Sequence, residues 1–301
     1  MIYDGGILFG GLRLIHLQFG QSFMAFNIAN GAVMRNITIS SIKIISTFLN
    51  KYAHITNDSQ IPGKVVLGIG RNARFFSLNS QWSTIASRGA VDPGSVRITK
   101  GHELFLFTDN NGTYISNDEL ATISFFNTSG YVQYDLAPTH MIGCKSDGSG
   151  GFDVYRKPLS GTEEFIDNVT FSATPSIRVH HAGFYLFFEG NDLVVFNNLT
   201  ASHFTITGLM DICFDQSGTI YAVRQSGSDV ICSKSNGTSF DDIYTTGGNW
   251  GAGNKLKVQD GLIYLILEDR LEIVDAVNKS LRVSFDAPGF STFKNAYVLD
   301  I

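Results

Sequence analysis

The stretch that decides the fold is residues 176–207, which read SIRVHHAGFYLFFEGNDLVVFNNLTASHFTIT. The stretch contains four short runs rich in β-branched and aromatic residues, at 176–180, 184–188, 193–196 and 203–207. Gly, Asn and Asp lie between the runs, and these residues favour turns. The pattern predicts a four-stranded antiparallel meander of about 33 residues. So small a sheet, apolar on both faces, needs a similar sheet on each side.

The same pattern recurs along the whole chain. Each copy begins with a strand in which a polar residue stands between apolar ones, followed by a Gly or Asn turn and a strongly apolar strand. The first strands are predicted at 12–15, 53–55, 96–98, 132–134, 176–180, 210–213 and 256–258. An incomplete copy at 291–299 lacks strands that a hairpin at 2–9 would supply. Repetition of this kind predicts an all-β, seven- to eight-bladed β-propeller, one domain over residues 1–301. Pairing of the N- and C-terminal strands would close its ring.

Two turns carry a recognisable motif. One reads Asp215-Gln216-Ser217-Gly218 before the apolar segment 219–223, and the other reads Asp260-Gly261 before 262–264. Both resemble the turn of NHL-type propeller repeats, in which Asp and Gly shape the tight connection between the first two strands. The resemblance implies the propeller fold and no particular activity.

Composition excludes several classes of function. The net charge of −5 and the pI near 5.8 argue against general nucleic-acid binding, which needs clustered Lys and Arg. No apolar run approaches the ~18 residues that span a bilayer, and no secretion signal is evident, so a soluble protein is expected. The cysteines, Cys144, Cys213 and Cys232, are odd in number and lack a C-x-x-C spacing. We therefore expect buried free thiols and neither disulfides nor a zinc cage.

The predicted first strands supply a candidate binding ring. Their middle polar residues would line the central channel of a propeller. In chain order these residues are Arg13, His54, Arg97, Gln133, Arg178, Asp211, Lys257 and Thr292. Five of the eight are basic or can become so, which would suit an anionic ligand or the carboxylates of a partner. The ordinary alternative is that they are solvated or hydrogen-bond neighbouring blades.

Catalytic groups are harder to identify. His16, His54, His180 and His181 lie in or beside first strands, but no short histidine spacing forces them together, so we predict no metal, cofactor or catalytic residue. The acidic pairs Glu163-Glu164 and Asp241-Asp242 could suggest glycoside hydrolysis. Since both pairs lie between predicted strands, they are predicted to be solvated loop charges.

Paired phenylalanines are a further feature, at 75–76, 125–126 and 187–188. Adjacent residues of a strand point to opposite faces, so each pair is predicted to fill two inter-blade interfaces at once.

These observations favour a non-catalytic structural or interaction protein. Charged residues are only 16% of the chain, and its loops are rich in Asn, Ser and Thr. In architecture and compositional style the chain resembles virion-tail propellers, such as the nozzle proteins of short-tailed phages. That resemblance implies a rigid docking platform in a symmetric homo-oligomer that contacts other structural proteins.

Two alternatives remain open. One is a glycan- or receptor-binding propeller, which predicts exposed Trp or Tyr with Asp and Asn at equivalent places in several blades. Trp82, Trp250 and Tyr244 are too few and too unlike in position to show this. The other is a propeller hydrolase of the glycosidase or lactonase type, with carboxylates or a metal at the channel mouth.

Overall fold

The computed structural model describes a chain of β-strands and short turns. The described residues are 13–19, 22–27, 33–38, 54–57, 64–69, 72–77, 84–88, 97–101, 104–109, 112–116, 124–137, 139–180, 183–197, 199–251, 255–259, 261–267, 269–286 and 295–300. Up to Gly112 and from Asn295 onward, the structure describes which residues form strands and how the strands pair, but not their side chains. The described strands form seven four-stranded sheets.

The chain divides into two compact units. Unit 1 comprises Met1–Asn127, Glu268–Leu271 and Val283–Ile301, and unit 2 comprises Thr128–Leu267 and Glu272–Arg282. The prediction of a single domain over residues 1–301 stays a prediction.

Three sheets have their strands in unit 1. Sheet 1 contains β1 (Arg13–Phe19), β2 (Ser22–Asn27), β3 (Val33–Thr38) and β28 (Asn295–Asp300). Sheet 2 contains β4 (His54–Asn57), β5 (Lys64–Ile69), β6 (Asn72–Ser77) and β7 (Thr84–Arg88). Sheet 3 contains β8 (Arg97–Gly101), β9 (Leu104–Asp109), β10 (Gly112–Ser116) and β11 (Ser124–Phe126). Within this unit, β4 lies beside β8 and β28 lies beside β4.

Three further sheets lie in unit 2, and a fourth begins there. Sheet 4 contains β12 (Gln133–Leu136), β13 (His140–Ser146), β14 (Gly151–Pro158) and β15 (Glu164–Thr170). Sheet 5 contains β16 (Ser176–His180), β17 (Phe184–Glu189), β18 (Asp192–Asn197) and β19 (Thr200–Thr205). Sheet 6 contains β20 (Leu209–Phe214), β21 (Ile220–Ser226), β22 (Asp229–Ser235) and β23 (Phe240–Gly247). Sheet 7 contains β24 (Lys255–Gln259), β25 (Leu262–Ile266), β26 (Arg270–Asp275) and β27 (Ser280–Asp286).

Sheet 5 follows the sequence prediction closely, except at its last strand. That strand was expected at 203–207, but β19 ends at Thr205. A tight turn pairs Asn197 with Thr200, and this register places Thr205 opposite Asp192, the first residue of β18. The next residue leaves the sheet, and the Ile206 N–H donates to the Asn191 carbonyl at 2.7 Å. The segment after β19 therefore becomes a short loop that leads into β20.

The two ends of the described chain meet in sheet 1. β1 pairs antiparallel with β28 on one side and with β2 on the other. The incomplete copy at the end of the chain and the first copy therefore belong to one sheet. Arg13 was predicted to lie on a first, channel-lining strand, and this placement is wrong because β28 takes the edge position. The predicted hairpin at 2–9 and Thr292 lie outside the described residues.

The NHL-like turn at Asp215 forms as the motif predicts. Asp215 Oδ1 accepts the backbone N–H groups of Ser217 and Thr219, each at 2.9 Å. Gly218 has a φ of 88°, a backbone conformation that favours glycine. The carboxylate adds these bonds to the backbone hydrogen bonds of the turn, in which the Gly218 N–H donates to the Asp215 carbonyl at 3.1 Å and the Asp215 N–H donates to the Thr219 carbonyl at 2.9 Å.

The hydrophobic core of unit 2 lies between neighbouring sheets. Phe187 packs in a cluster with residues of sheet 4, whereas Phe188 packs in another cluster with residues of sheet 6. The prediction that adjacent phenylalanines fill two interfaces is thus confirmed for this pair. Phe125 and Phe126 differ, because Phe126 is buried and Phe125 is 63% exposed. No described helix is long and apolar enough to cross a membrane.

The three cysteines are free thiols, and Cys144 and Cys232 are buried. Burial raises the pKa of each of these two thiols to about 12. Burial also raises the pKa of Cys213, with a smaller contribution from the Asp211 carboxylate.

We therefore expect an aromatic disulfide reagent to leave all three cysteines unmodified in the folded protein at mildly alkaline pH. In strong denaturant all three should react; rapid reaction before unfolding would contradict the packing.

Candidate functional site

The predicted ring residues of unit 2 lie on neighbouring first strands. Gln133, Arg178, Asp211 and Lys257 belong to β12, β16, β20 and β24, and each of these strands lies beside the next. Two of the four are joined directly, because Arg178 Nη2 donates to Asp211 Oδ1 at 3.3 Å. His54 and Arg97 occupy the first strands β4 and β8 of unit 1, and their side chains lie outside the described residues.

Asp211 acts as a structural link between sheets. Its side chain is buried, and Oδ1 also accepts the Ile212 N–H at 2.9 Å. Oδ2 accepts the Leu256 N–H at 2.9 Å, which ties β20 to β24. One carboxylate thus connects strands of three consecutive sheets. This favours the ordinary interpretation of the ring for Arg178 and Asp211, that of hydrogen-bond partners across blades.

The histidines of unit 2 are also engaged in packing. His180 is buried against the Phe184 and Phe214 rings, and its Nε2 lies 3.2 Å from the Gln216 carbonyl oxygen. His181 lies outside the described residues. Among the residues whose placement is described, no three His, Cys, Asp or Glu side chains come together as metal ligands.

His140 joins two sheets through a chain of hydrogen bonds. Its Nε2 lies 2.8 Å from Tyr185 Oη on β17, and its Nδ1 lies 3.0 Å from Thr139 Oγ1. Burial lowers the pKa of His140, and the nearby positive charge of Arg156 lowers it further. The folded protein therefore favours the neutral imidazole.

We expect this histidine to make stability depend on pH. An unfolded histidine has a pKa of about 6.5, so its contribution is complete above that pH and is lost as the pH falls toward the lower folded value. Urea unfolding near neutral pH and at about pH 5.5 should show a larger acid loss in the wild type than in His140→Gln, which cannot titrate there. Equal acid losses in the two proteins would show that His140 is not responsible.

The two acidic pairs considered from the sequence do not form catalytic pairs. Glu163 accepts from Lys145 Nζ at 2.5 Å and from Tyr131 Oη at 3.0 Å. The hydrogen bond from Lys145 is the main cause that lowers the pKa of Glu163. Glu164 instead binds Arg156, with Nη2 at 2.6 Å and Nε at 3.1 Å. Glu163 and Glu164 are adjacent in the chain, but each binds a different basic side chain.

The second acidic pair is likewise divided. Asp242 accepts from Arg224 Nη2 at 2.6 Å and from Ser233 Oγ at 2.7 Å, whereas Asp241 accepts from Asn236 Nδ2. The expectation that both pairs sit between strands is wrong, because Glu164 begins β15 and both aspartates lie in β23. Short hairpins leave less loop than the sequence suggested.

An open groove of about 760 Å³ lies in the described part of unit 2. It lies between the outermost strands of sheets 5 and 6, β19 and β23. One wall is formed by His203, Thr205 and Thr207, which are all exposed. The opposite wall contains Thr238, Ser239 and Asp241, which are exposed as well.

Hydrogen bonds within the protein hold both walls. After β19, the loop is fixed by the Gly208 N–H, which donates to Asn191 Oδ1 at 2.8 Å, and by the Gly208 carbonyl, which accepts the Gln225 N–H at 2.8 Å. In the opposite wall, Asn236 Oδ1 accepts the N–H groups of Thr238 and Ser239 at 3.0 and 2.8 Å. The shape of the groove is therefore set by the fold.

Between the walls, the groove also has an aromatic part and a charged part. Phe204 and Phe240 meet edge to face with their centroids 5.9 Å apart. The Arg224, Asp242 and Ser233 network described above also lines the groove. This site was not predicted from the sequence, because the candidate ring lies on first strands, whereas these residues lie on outer strands. A usable signal was the cluster of Ser, Thr, His and Asp residues at 200–205 and 238–242.

Comparison with known proteins identifies the fold. No protein-family model and no curated protein sequence matches the chain. Solved structures do: Kluyveromyces lactis Hsv2 has a TM-score of 0.59 at 9% identity, covering 91% of this chain and 96% of its own. AztD from Citrobacter koseri has a TM-score of 0.56 at 8% identity, covering 96% of this chain and 97% of its own. The computationally designed Ika8 has a TM-score of 0.59 at 10% identity, covering 97% and 94%.

All three are β-propeller structures. Together with the repeated four-stranded antiparallel sheets, they confirm the predicted all-β propeller fold. At such low identities the likeness concerns the fold alone.

Proposed function

We propose that this chain is a non-catalytic interaction protein, a rigid docking platform in a symmetric assembly such as a virion tail. The observation that carries the proposal is the internal neutralisation of the acids that could have acted as catalysts. Four of these acids are each bound to a basic group of the same chain: Glu163 to Lys145, Glu164 to Arg156, Asp211 to Arg178 and Asp242 to Arg224. The fifth, Asp241, accepts from the Asn236 amide.

Such pairing is poorly suited to hydrolysis. A general acid must hold a proton near neutral pH, and this needs a raised pKa. The bond to Lys145 lowers the pKa of Glu163, which keeps that carboxylate ionised. Asp211 is 5% exposed and already accepts hydrogen bonds from two backbone N–H groups and Arg178, so it has little room for a substrate.

The platform role is supported by rigidity and by composition. The sheets of unit 2 are linked by buried clusters and by cross-sheet hydrogen bonds such as those of Asp211 and His140. A charged fraction of 16%, against roughly 25% in an average globular protein, suits a surface that is largely covered by partners. The virion setting rests on the compositional resemblance to tail propellers; the solved structures support the propeller fold.

The test is to isolate the native protein under mild conditions and identify its neighbours by cross-linking mass spectrometry. We expect a fixed stoichiometry with further copies and with at least one other structural protein. The purified chain should show no turnover on a panel of glycosides, esters and lactones. A monomer without neighbours that turns over one of these substrates would overturn the proposal, above all if Asp211→Asn abolished the activity and retained the fold.

A further inference from the structure

We propose that the groove between β19 and β23 binds a neutral oligosaccharide. This site goes beyond the platform role and does not depend on it. The predicted form of a glycan site, built from tryptophan and tyrosine, does not fit the described residues. Trp250 is buried in the core, and Tyr244 is partly buried with its hydroxyl donating to Glu272. The groove offers a different set of groups.

Its walls are rich in hydroxyl groups. Thr205, Thr207, Thr238 and Ser239 line the groove at exposed positions. A hydroxyl both donates and accepts, so it can pair with a sugar hydroxyl in either direction. The exposed carboxylate of Asp241 adds acceptors, and the imidazole of His203 on the facing wall adds a donor or acceptor. This combination suits a ligand that carries many hydroxyl groups.

The phenylalanine pair supplies an apolar surface beside these polar groups. Phe204 and Phe240 are partly buried and line the groove. An aromatic face carries partial negative charge and attracts the slightly positive C–H groups of a sugar ring. A pocket with an apolar surface and a few placed polar groups is the usual form of a small-ligand site.

The charge of the groove favours a neutral ligand. Arg224 and Asp242 bind each other at 2.6 Å, and Ser233 donates to the same carboxylate. Asp241 then remains as an exposed anion next to this pair, which disfavours phosphate, sulfate or an acidic sugar. A volume of about 760 Å³ is enough for more than one sugar unit, given that pockets for drug-sized ligands hold about 300–1,000 Å³.

The groove is ordered before binding. Asn236 fixes the turn that carries Thr238 and Ser239, and its Nδ2 also donates to the Asp241 carboxylate at 3.2 and 3.3 Å. Asn191 and Gln225 fix the loop on the other side. A ligand therefore loses less free energy to ordering the protein, which compensates for the weak individual contacts of a sugar.

The experiment uses the full chain and a panel of short neutral oligosaccharides, screened on an array and then by titration calorimetry. We expect binding to at least one neutral oligosaccharide. Asp241→Ala, which removes an acceptor, and Thr207→Trp, which fills the groove, should each weaken that binding by about tenfold or more. Asp229→Ala is the matched control, because Asp229 is exposed on the adjacent strand β22 but does not line the groove.

Circular dichroism and thermal unfolding would show that each variant is folded. The proposal is overturned if the wild type binds no neutral oligosaccharide at millimolar concentration, or if it binds acidic glycans or peptides instead. Unchanged binding in both groove variants would also overturn it, since the sugar would then lie elsewhere. None of these results depends on whether the protein assembles with others.

Discussion

Asp211→Ala is expected to lower the free energy of unfolding by about 3 kcal/mol, because it removes the acceptor of a buried N–H and the carboxylate partner of the half-exposed Arg178. The Leu256 N–H, which now donates to Oδ2, would be left without that acceptor at a residue only 5% exposed. Arg178 would lose its carboxylate, but its side chain is 36% exposed and can turn toward water. Most of the loss should therefore come from the backbone group.

A surface ion pair provides the control. Asp269 is 72% exposed and binds Arg270 at 3.0 Å, so Asp269→Ala should cost no more than about 1 kcal/mol. The loss of unfolding free energy in Asp211→Asn should lie between those of the two alanine variants, because an amide oxygen can still accept one of the hydrogen bonds. The comparison requires urea unfolding of all three variants and the wild type. A loss in Asp211→Ala as small as that in Asp269→Ala would contradict the structural role of Asp211.

The same variants bear on function. If Asp211 were a catalytic acid, the asparagine variant would retain most of its stability and lose activity. If Asp211 instead links β16, β20 and β24, the alanine variant loses stability and no loss of activity is expected. Residues at functional sites often carry a stability cost, whereas a structural link does not.

The sequence predicted the local features of this fold well. The runs and turns of residues 176–197 match β16, β17 and β18, since alternation, β-branching and turn residues act over a few neighbouring positions. The opposite faces of Phe187 and Phe188 follow from strand geometry alone. The Asp215 turn formed because its hydrogen bonds are local.

Features that depend on distant partners were predicted less well. The position of Arg13 was wrong because β28, nearly the whole chain away, takes the edge of sheet 1. The groove was missed since its walls come from two separate hairpins, and no motif links Thr207 to Ser239. A hydrophobic pattern describes one strand at a time, but a site between outer strands depends on how sheets are placed side by side.

Gly208→Ala is expected to be the second strongly destabilising substitution, with a loss of about 3 kcal/mol or more from backbone strain and steric overlap together. Gly208 has a φ of 75°, which disfavours any residue with a side chain. A β-carbon at this position would also lie 2.3 Å from the Gln225 carbonyl oxygen. That oxygen belongs to the backbone of β21, so it cannot move aside without disturbing the strand.

Gly148 separates these two causes. Its φ of 77° is nearly the same, but a β-carbon there would meet no atom within 4 Å. Gly148→Ala should therefore cost only the strain of the left-handed backbone, about 1–2 kcal/mol. Urea unfolding of the two variants measures the difference, which reports the collision with β21. Equal losses would mean that the loop after β19 yields easily, and the groove wall that depends on Gly208 would then not be rigid.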